Sequence, residues 1–430
     1  MAEQPLHSVI LDREQCVGCT NCIKRCPTHA IRVRNKKAQI RADRCIDCGE
    51  CVRICEHNAK VPVYDPLDTM DRFEYRIALP APSLYGQFVG LDDVNILLSG
   101  LLKMGFDQVY EVGTAAEIVS ALSRTYVESH EADWPLISTA CPAIVKLIYT
   151  RFPSLIDHML PLQPPVEVAA TLARREAMEK TGLPSEKIGV FFISPCPAKV
   201  TMCKEPVGVT KTDVDYTLAI KDVYVKLLPL MKEAAADPDS LPDLASAGRI
   251  GIGWGVSGGE AAGLINDSYL AADGIENCIK VLNDLEDQKF QNLQFVELDA
   301  CPGGCVGGVL TIENPYIAKT RMQSLKRYLP VSGAPEIPDE IGVWTEEVEY
   351  MPTVALGKNL RETLKKMAEV EELTSRFPGI DCGSCGAPSC RALADDIVRG
   401  EAKETDCIYI MLDVIRKMAG MVEHDVHLDQ

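Results

Sequence analysis

The stretch CVGCTNCIKRCP at residues 16–27 is repeated, with the same cysteine spacing, as CIDCGECVRICE at residues 45–56. Each run has the form Cys-x2-Cys-x2-Cys-x3-Cys, whose short gaps let three thiols of one loop reach a single iron–sulfur cubane. This is the only internal repeat that we find in the chain. It predicts a small, cysteine-dense domain over residues 1–72 that binds two [4Fe-4S] clusters.

The repeat resembles that of the bacterial two-cluster ferredoxins, in which the fourth ligand of each cubane comes from the other run. Glu56 stands where a proline is usual in the second run. A zinc ribbon is the alternative interpretation. The resemblance implies an electron-transfer domain with two ligand sets, which are Cys16, Cys19, Cys22 and Cys55, and Cys26, Cys45, Cys48 and Cys51.

The composition is that of a large, acidic, cysteine-rich protein, with 430 residues, 18 cysteines and a formal net charge of −18. No apolar run approaches the length of a membrane span, about 18 residues, and the first residues do not form a secretory signal. We therefore expect a cytoplasmic protein whose cysteines bind metal, with no membrane or nucleic-acid partner. The mildly basic segment 1–72 could dock an acidic electron carrier, or be an ordinary solvated surface.

Beyond residue 72 the sequence divides into two further predicted domains. Residues 73–350 alternate strand-like and helix-like stretches, such as KIGVFFISP and IKDVYVKLLPLMKEA, which predicts an α/β domain with mostly parallel sheets. Residues 332–340 are proline-rich and predict a loop. Residues 351–430 begin with a predicted helix over 358–376 and predict a small, α-rich iron–sulfur domain.

Four cysteines of the central domain follow strand-like runs. They are Cys141, Cys196, Cys301 and Cys305. Ligand sites of open α/β folds lie at the carboxyl ends of strands, so these four thiols could converge on one cubane. The alternative is that they are buried structural cysteines, which are common.

The central segment resembles the [FeFe]-hydrogenase family, whose three signatures have the forms T-S-C-C-P, P-C-x-x-K and A-C-x-x-G-C. The corresponding stretches here are TACP at 139–142, PCPAK at 195–199 and ACPGGC at 300–305. Ala81, Pro82 and Ser83 resemble the family's loop beside the active site. WGVSGG at 254–259 resembles its aromatic, glycine-rich loop.

The resemblance implies that the four central cysteines hold the cubane of an H-cluster, and that Cys305 bridges it to a diiron unit with CO, cyanide and azadithiolate ligands. It implies that Lys199 donates to a cyanide, although a surface lysine is the alternative. It further implies that Gly303 and Gly304 let the backbone approach the cluster. The substrates would be H2 and protons, and dedicated maturation proteins would supply the diiron unit.

Several positions near the implied cluster depart from the family pattern. Ala140 stands where the family has a proton-carrying cysteine. Ser194, Met202 and Asp299 stand at other positions where the family usually has different residues. Alanine carries no proton, so the usual relay is interrupted. Glu297, Asp299 and Cys203 are candidate substitutes, and an exposed or structural role is the alternative for each. These departures resemble the divergent, sensory members of the family, closest to the group D type.

A third cysteine motif lies near the end of the chain. Its members are Cys382, Cys385, Cys390 and Cys407. It resembles the small four-iron domains of redox enzymes, and zinc is the alternative metal. After these 16 ligands only Cys203 and Cys278 remain, and we expect Cys278 in the core.

We therefore predict a protein with three accessory [4Fe-4S] clusters and one H-cluster that interconverts H2 with protons and electrons, slowly, as a hydrogen or redox sensor. A ferredoxin or a redox signalling partner would exchange the electrons. Two alternatives stay open: an ordinary metabolic hydrogenase with an altered proton path, and a non-enzymatic electron-transfer or assembly protein without the diiron unit.

Overall fold

A computed structural model describes residues 6–130, 135–333, 336–338, 341–351, 356–357 and 359–426. Residues 6–72 form two small antiparallel ladders and two one-turn helices. Their elements are β1 (Val9–Leu11), α1 (Asn21–Lys24), β2 (Ile31–Arg34), β3 (Lys37–Ile40), α2 (Glu50–Arg53) and β4 (Lys60–Pro62). β1 pairs with β4 and β2 with β3, and each cysteine run lies between two strands and contains one of the short helices.

The central region is an α/β structure with two separate sheets. Its first half comprises β5 (Tyr75–Pro80), α3 (Val94–Lys103), β6 (Gln108–Val109), α4 (Val112–Ser129), β7 (Leu136–Ile137), α5 (Pro142–Arg151) and α6 (Pro165–Thr181). Its second half comprises β8 (Ile188–Ser194), α7 (Pro197–Met202), β9 (Tyr216–Ala219), α8 (Ile220–Ala235), α9 (Arg249–Gly253), α10 (Gly259–Ala262), β10 (Tyr269–Asp273), α11 (Ile275–Glu286), β11 (Phe295–Asp299) and α12 (Pro315–Lys326).

Every strand pairing in the two central sheets is parallel, as the alternating pattern predicts. One sheet has the order β6-β5-β8-β9 and the other β10-β11-β7. All seven residues of β8 are buried, because helices cover both faces of a parallel sheet. The chain thus places the carboxyl ends of β5, β8, β7 and β11 where loops can meet.

The last segment is helical. It contains α13 (Leu360–Arg376), α14 (Cys390–Val398) and α15 (Ile408–Val426). The predicted helix over 358–376 is confirmed from Leu360 onward, and residue 358 lies outside the described residues. The side chain of Asn359 caps its first turn by accepting from the amide of Glu362. Of the predicted loop at 332–340, residues 334–335 and 339–340 lie outside the described residues.

The fold class is therefore the predicted one: a ferredoxin-like N-terminal region, a parallel α/β centre and a helical C-terminal region. The boundaries after residues 72 and 350 remain predictions. Cys278 lies on α11 and is fully buried, which confirms its expected place in the core. Within the described residues, no helix combines the length and the hydropathy that a membrane span requires.

Helices α4 and α9 cross closely at Gly251, which gives a testable prediction. A Cβ atom there would overlap the carbonyl oxygen of Gly113, so we expect Gly251→Ala to destabilise the fold by about 1–3 kcal/mol. Gly253→Ala, on the same helix, is the control, because its Cβ would meet no atom closer than 3.5 Å. Thermal unfolding midpoints of both variants test this, and equal midpoints would contradict it.

Candidate hydrogenase-type active site

A cavity lies where the carboxyl ends of β5, β8 and β11 approach one another. The side chains around it come from separate parts of the central region. They include Ala81, Pro82, Ser83, Ala140, Pro164, Pro165, Val166, Lys199, Trp254, Glu260, Glu297, Asp299 and Cys305. Residues that the sequence analysis selected from distant motifs are thus brought to one place.

Cys141, Cys196 and Cys305 lie near Lys199, and Cys301 lies beside these three cysteines. Cys141 and Cys196 each precede a helix that starts with proline, α5 and α7, and Cys301 and Cys305 follow β11. Burial raises the pKa of Cys305 to about 12 and raises that of Cys141, while the ammonium of Lys199 opposes both shifts. Four neighbouring thiols, three of them beside one cation, form a donor set suited to a cubane, which binds thiolates.

Lys199 is not the surface lysine of the alternative interpretation. Its Nζ donates to the carbonyl oxygen of Ala140 at 3.2 Å, and its side chain lines the cavity. Burial alone would lower the pKa of Lys199, but the negative charges of Cys305, Cys196 and Cys141 outweigh it and raise that pKa. The lysine therefore stays an ammonium and supplies a fixed positive charge to the cavity.

Ser83 offers a second donor to the cavity. Its side chain is fully buried, and among the described residues its Oγ has no hydrogen-bond partner. A buried hydroxyl without a partner costs free energy unless a bound group satisfies it. The hydroxyl of Ser83 and the ammonium of Lys199 therefore fit a bound group that carries acceptors, as the cyanides of a diiron unit would.

Gly303 and Gly304 form a left-handed turn after Cys301. Their φ angles are 77° and 89°, and a Cβ on Gly304 would overlap the backbone amide of Ser257. Only glycine allows this turn and this close approach. The turn brings Cys305 to the cavity wall.

Two buried carboxyl groups, Glu260 and Glu297, and the half-buried Asp299 line the same cavity as Cys305, and the sequence analysis selected only Glu297 and Asp299. Burial raises the pKa of Asp299 to about 6. Burial, together with the charges of Asp299 and Glu260, raises the pKa of Glu297. Glu297 accepts from the amides of Gly258 and Ala261, both at 2.8 Å, so it also anchors the start of α10.

Glu260 is the residue that the sequence analysis missed. It lies on α10, accepts from the hydroxyl of Ser138 at 2.5 Å, and lines the cavity. Burial raises the pKa of Glu260 to about 8, against the lowering effect of Ser138. Its position after WGVSGG was a signal, but glutamate after a glycine-rich loop is too common to be selective. Cys203, the third candidate proton carrier, is buried in the apolar core.

The eight N-terminal cysteines line two smaller cavities. One is lined by Cys16, Cys19, Cys22 and Cys55, and the other by Cys26, Cys45, Cys48 and Cys51. This is the grouping that the ferredoxin resemblance implies. Burial raises the pKa of Cys22 to about 11 and that of Cys51 to about 12, so bound iron is needed to hold these sulfurs as thiolates.

The C-terminal cysteines also come together. Cys385, Cys390 and Cys407 pack in one cluster with apolar residues of α13 and α14. Cys382 lies on the exposed side of the loop, where hydrogen bonds from Ser384 lower the pKa of its thiol. Burial raises the pKa of Cys385, and the charge of Cys382 adds to that shift. These four side chains could hold a third accessory cluster.

Comparison with known families identifies the class of protein. The model of the "Iron only hydrogenase large subunit, C-terminal domain" matches residues 74–269 and 260–309. The "4Fe-4S dicluster domain" model matches residues 8–56, and an Fe-S cluster model matches residues 377–409. The chain belongs to the iron-only, or [FeFe], hydrogenase family, and its terminal regions are iron–sulfur domains.

Individual relatives are distant. The chain is 26% identical over 366 residues to the periplasmic [Fe] hydrogenase large subunit of Nitratidesulfovibrio vulgaris, over 70% of this chain and 86% of that protein. It is 24% identical over 353 residues to the NADP-reducing hydrogenase subunit HndD of Solidesulfovibrio fructosivorans, over 68% of this chain and 55% of that protein. The match thus spans about half the length of the latter relative.

A solved [FeFe]-hydrogenase from Chlamydomonas reinhardtii has 18% sequence identity with this chain and a TM-score of 0.44. The superposition covers 61% of this chain and 86% of that one.

The raised pKa of Glu260 predicts a pH-dependent stability. The native state holds this proton more tightly than the unfolded chain between pH 4.5 and about 8, so wild-type protein loses stability as pH rises through that range. The amide of Glu260→Gln has no such proton to release, so this variant should not lose stability in that way. We expect its free energy of unfolding to gain on that of wild type from about pH 5 to about pH 8, at roughly 1.4 kcal/mol per pH unit at most, and to keep a constant difference above that.

Glu128→Gln, at an exposed position of α4, is the matched control and should track the wild-type protein. Thermal unfolding of the cluster-loaded proteins across this range is the measurement. Parallel pH profiles for wild type and Glu260→Gln would contradict the assignment of a protonated carboxyl.

Proposed function

We propose that this protein interconverts H2 with protons and electrons at an H-cluster held by Cys141, Cys196, Cys301 and Cys305. The observation that carries the proposal is that Cys305, the Lys199 ammonium and the Ser83 hydroxyl, which has no partner among the described residues, line one cavity. Cys141 and Cys196 lie near the same ammonium, and Cys301 lies beside these cysteines. Neither a plain ferredoxin nor a buried structural cysteine cluster needs those two donors beside a cavity.

In this proposal the diiron unit supplies the site at which the H–H bond is made or broken. The protein supplies the rest. Cys305 would hold the unit beside the cubane, and Lys199 and Ser83 would donate hydrogen bonds to its anionic ligands. Ala81, Pro82, Val166 and Trp254 line the cavity with apolar surface, which excludes bulk water and strengthens those hydrogen bonds.

Buried carboxyl groups take the place of the missing cysteine as proton carriers. Ala140 holds no proton, but Glu260, Glu297 and Asp299 line the same cavity. Proton carriers work best with pKa values near the working pH, and the pKa values of Asp299 and Glu260, about 6 and about 8, bracket neutrality. The negative charge of Asp299 raises the pKa of both Cys141 and Cys305, so this carboxyl group lies near those two thiols.

The accessory clusters would pass electrons between the cavity and a ferredoxin or a redox signalling partner. The three groups of four cysteines would each hold one [4Fe-4S] cluster, and maturation proteins would insert the diiron unit.

We propose a sensory role with slow turnover, because Ala140 and Asp299 alter the surroundings of the cubane. The second candidate is a metabolic hydrogenase with an altered proton path, and the three carboxyl groups beside the cavity favour it. The rate of hydrogen turnover separates the two, since a metabolic enzyme must sustain turnover that a sensor does not need.

The infrared spectrum of protein matured without oxygen in the presence of a diiron source tests the central proposal. We expect bands of iron-bound CO and cyanide that shift when H2 is admitted. A protein with a full complement of cubanes but without such bands would be an electron-transfer or assembly protein instead.

Asp299→Asn tests the proton path. We expect a turnover about 10²–10⁴ lower than wild type with unchanged CO and cyanide bands, because the amide cannot accept and release the proton. Asp267→Asn, at an exposed position before β10, is the control. A turnover equal to wild type in Asp299→Asn would rule out this residue as a carrier.

A further inference from the structure

The C-terminal segment is fastened to the ferredoxin-like region by a buried carboxylate. Asp396, on α14, is fully buried. It accepts from Nε and Nη2 of Arg32 at 2.6 and 3.0 Å, from Arg34 at 2.7 Å and from Arg41 at 3.1 Å. These three arginines come from β2 and from the turn after β3, more than 350 positions earlier in the chain.

A second ion pair lies beside the first. Arg44 donates to Asp395 at 3.0 Å, and the side chains of both residues are mostly buried. At the exposed rim of the interface, Arg41 also pairs with Glu401, which is 51% exposed. The ferredoxin-like region thus presents four guanidinium groups to one helix of the C-terminal segment.

The same interface places the loop of the C-terminal cysteines on β2. The amide of Val33 donates to the carbonyl oxygen of Gly386 at 2.8 Å, and Nη1 of Arg34 donates to the carbonyl oxygen of Cys385 at 2.7 Å. Val33 also lines the cavity of Cys16, Cys19, Cys22 and Cys55. One residue therefore separates that cavity from the C-terminal ligand loop.

The two N-terminal cysteine groups and the central one lie one after another between this interface and the cavity. The negative charge of Cys22 contributes to the raised pKa of Cys51, so the two N-terminal groups are neighbours. Cys48, of the second group, packs in the same buried cluster as Cys141 and Cys196. Arg53 donates to the carbonyl oxygen of Gly307 at 3.0 Å, which ties α2 to the loop of Cys305.

We propose that Asp396 is a positioning residue for electron transfer, because it holds the C-terminal cysteine group against the first N-terminal group. The C-terminal cluster would then be the one farthest from the cavity along the path of the electrons. This inference rests on the proposed accessory clusters. The partner would then exchange electrons at the C-terminal segment, and its reducing equivalents would pass through both N-terminal groups to reach the cavity.

The physical reason is the cost of an unpaired buried charge. Removing one member of a buried ion cluster leaves its partners desolvated and unpaired, so loss of the Asp396 carboxylate leaves three guanidinium groups at a dry interface. The segment should separate from β2. Because electron transfer slows steeply with distance, this separation would isolate the C-terminal cluster without altering its own ligands.

The test is electron paramagnetic resonance of the reduced full chain with its cubanes but without the diiron unit. In wild-type protein we expect spin–spin coupling between the C-terminal cluster and its nearest neighbour. Asp396→Asn should keep the same iron and sulfide content and lose this coupling, and Asp396→Glu should restore part of it. Glu401→Gln, on the exposed rim of the same interface, should retain the wild-type spectrum.

Arg34→Gln covers the case in which Asp396→Asn loses the C-terminal iron. Arg34 lies outside that segment, so loss of coupling or of only the C-terminal iron in this variant supports the proposal. Retention of the coupling in Asp396→Asn or in an iron-replete Arg34→Gln overturns it, as does an equal effect of Glu401→Gln. Since the diiron unit is absent, this result is independent of whether infrared bands establish the H-cluster.

Discussion

The attraction between one ammonium and the thiols beside it is the interaction on which the central region depends. Ionising Cys141 and Cys305 away from bulk water is costly, and the charge of Lys199 opposes that cost. The lysine in turn is kept protonated by those sulfurs against its own burial. The charges therefore balance only when the sulfurs are negative and the lysine nitrogen is positive. This fits thiolates bound to a metal cluster better than a set of neutral thiols.

The parallel sheets make this convergence possible. Two sheets of the same chain end at one place, so that loops after β5, β7, β8 and β11 contribute side chains without long excursions. The left-handed turn at Gly303 and Gly304 then lets Cys305 reach the wall from a tightly packed loop. Asp299 replaces a soft side chain and Ala140 replaces a thiol of the family pattern. These two changes alter which groups beside the cavity can carry a proton, but the four cysteines are retained.

The buried ion cluster at Asp396 has a different role. Buried ion pairs add little to net stability, because desolvation offsets most of their attraction, but they penalise any arrangement in which one partner is left alone. A carboxylate that accepts from three arginines therefore specifies one orientation of α14 on β2. Such a contact favours a fixed distance between two cysteine groups over a flexible tether.

The sequence by itself determined the features that are local in the chain. Runs of four cysteines with gaps of two or three residues bring thiols together within one loop. Strand-like and helix-like patterns such as 188–194 and 220–235 appear as β8 and α8. The cysteines of the centre needed the resemblance to a family, because their motifs are far apart. Tertiary structure alone decided the rest: the pairing of Ser138 with Glu260, the missing partner of Ser83, and the contact of Arg32 with Asp396 across 364 positions. Burial and charge at such sites depend on which elements pack together, and no local pattern of residues records that.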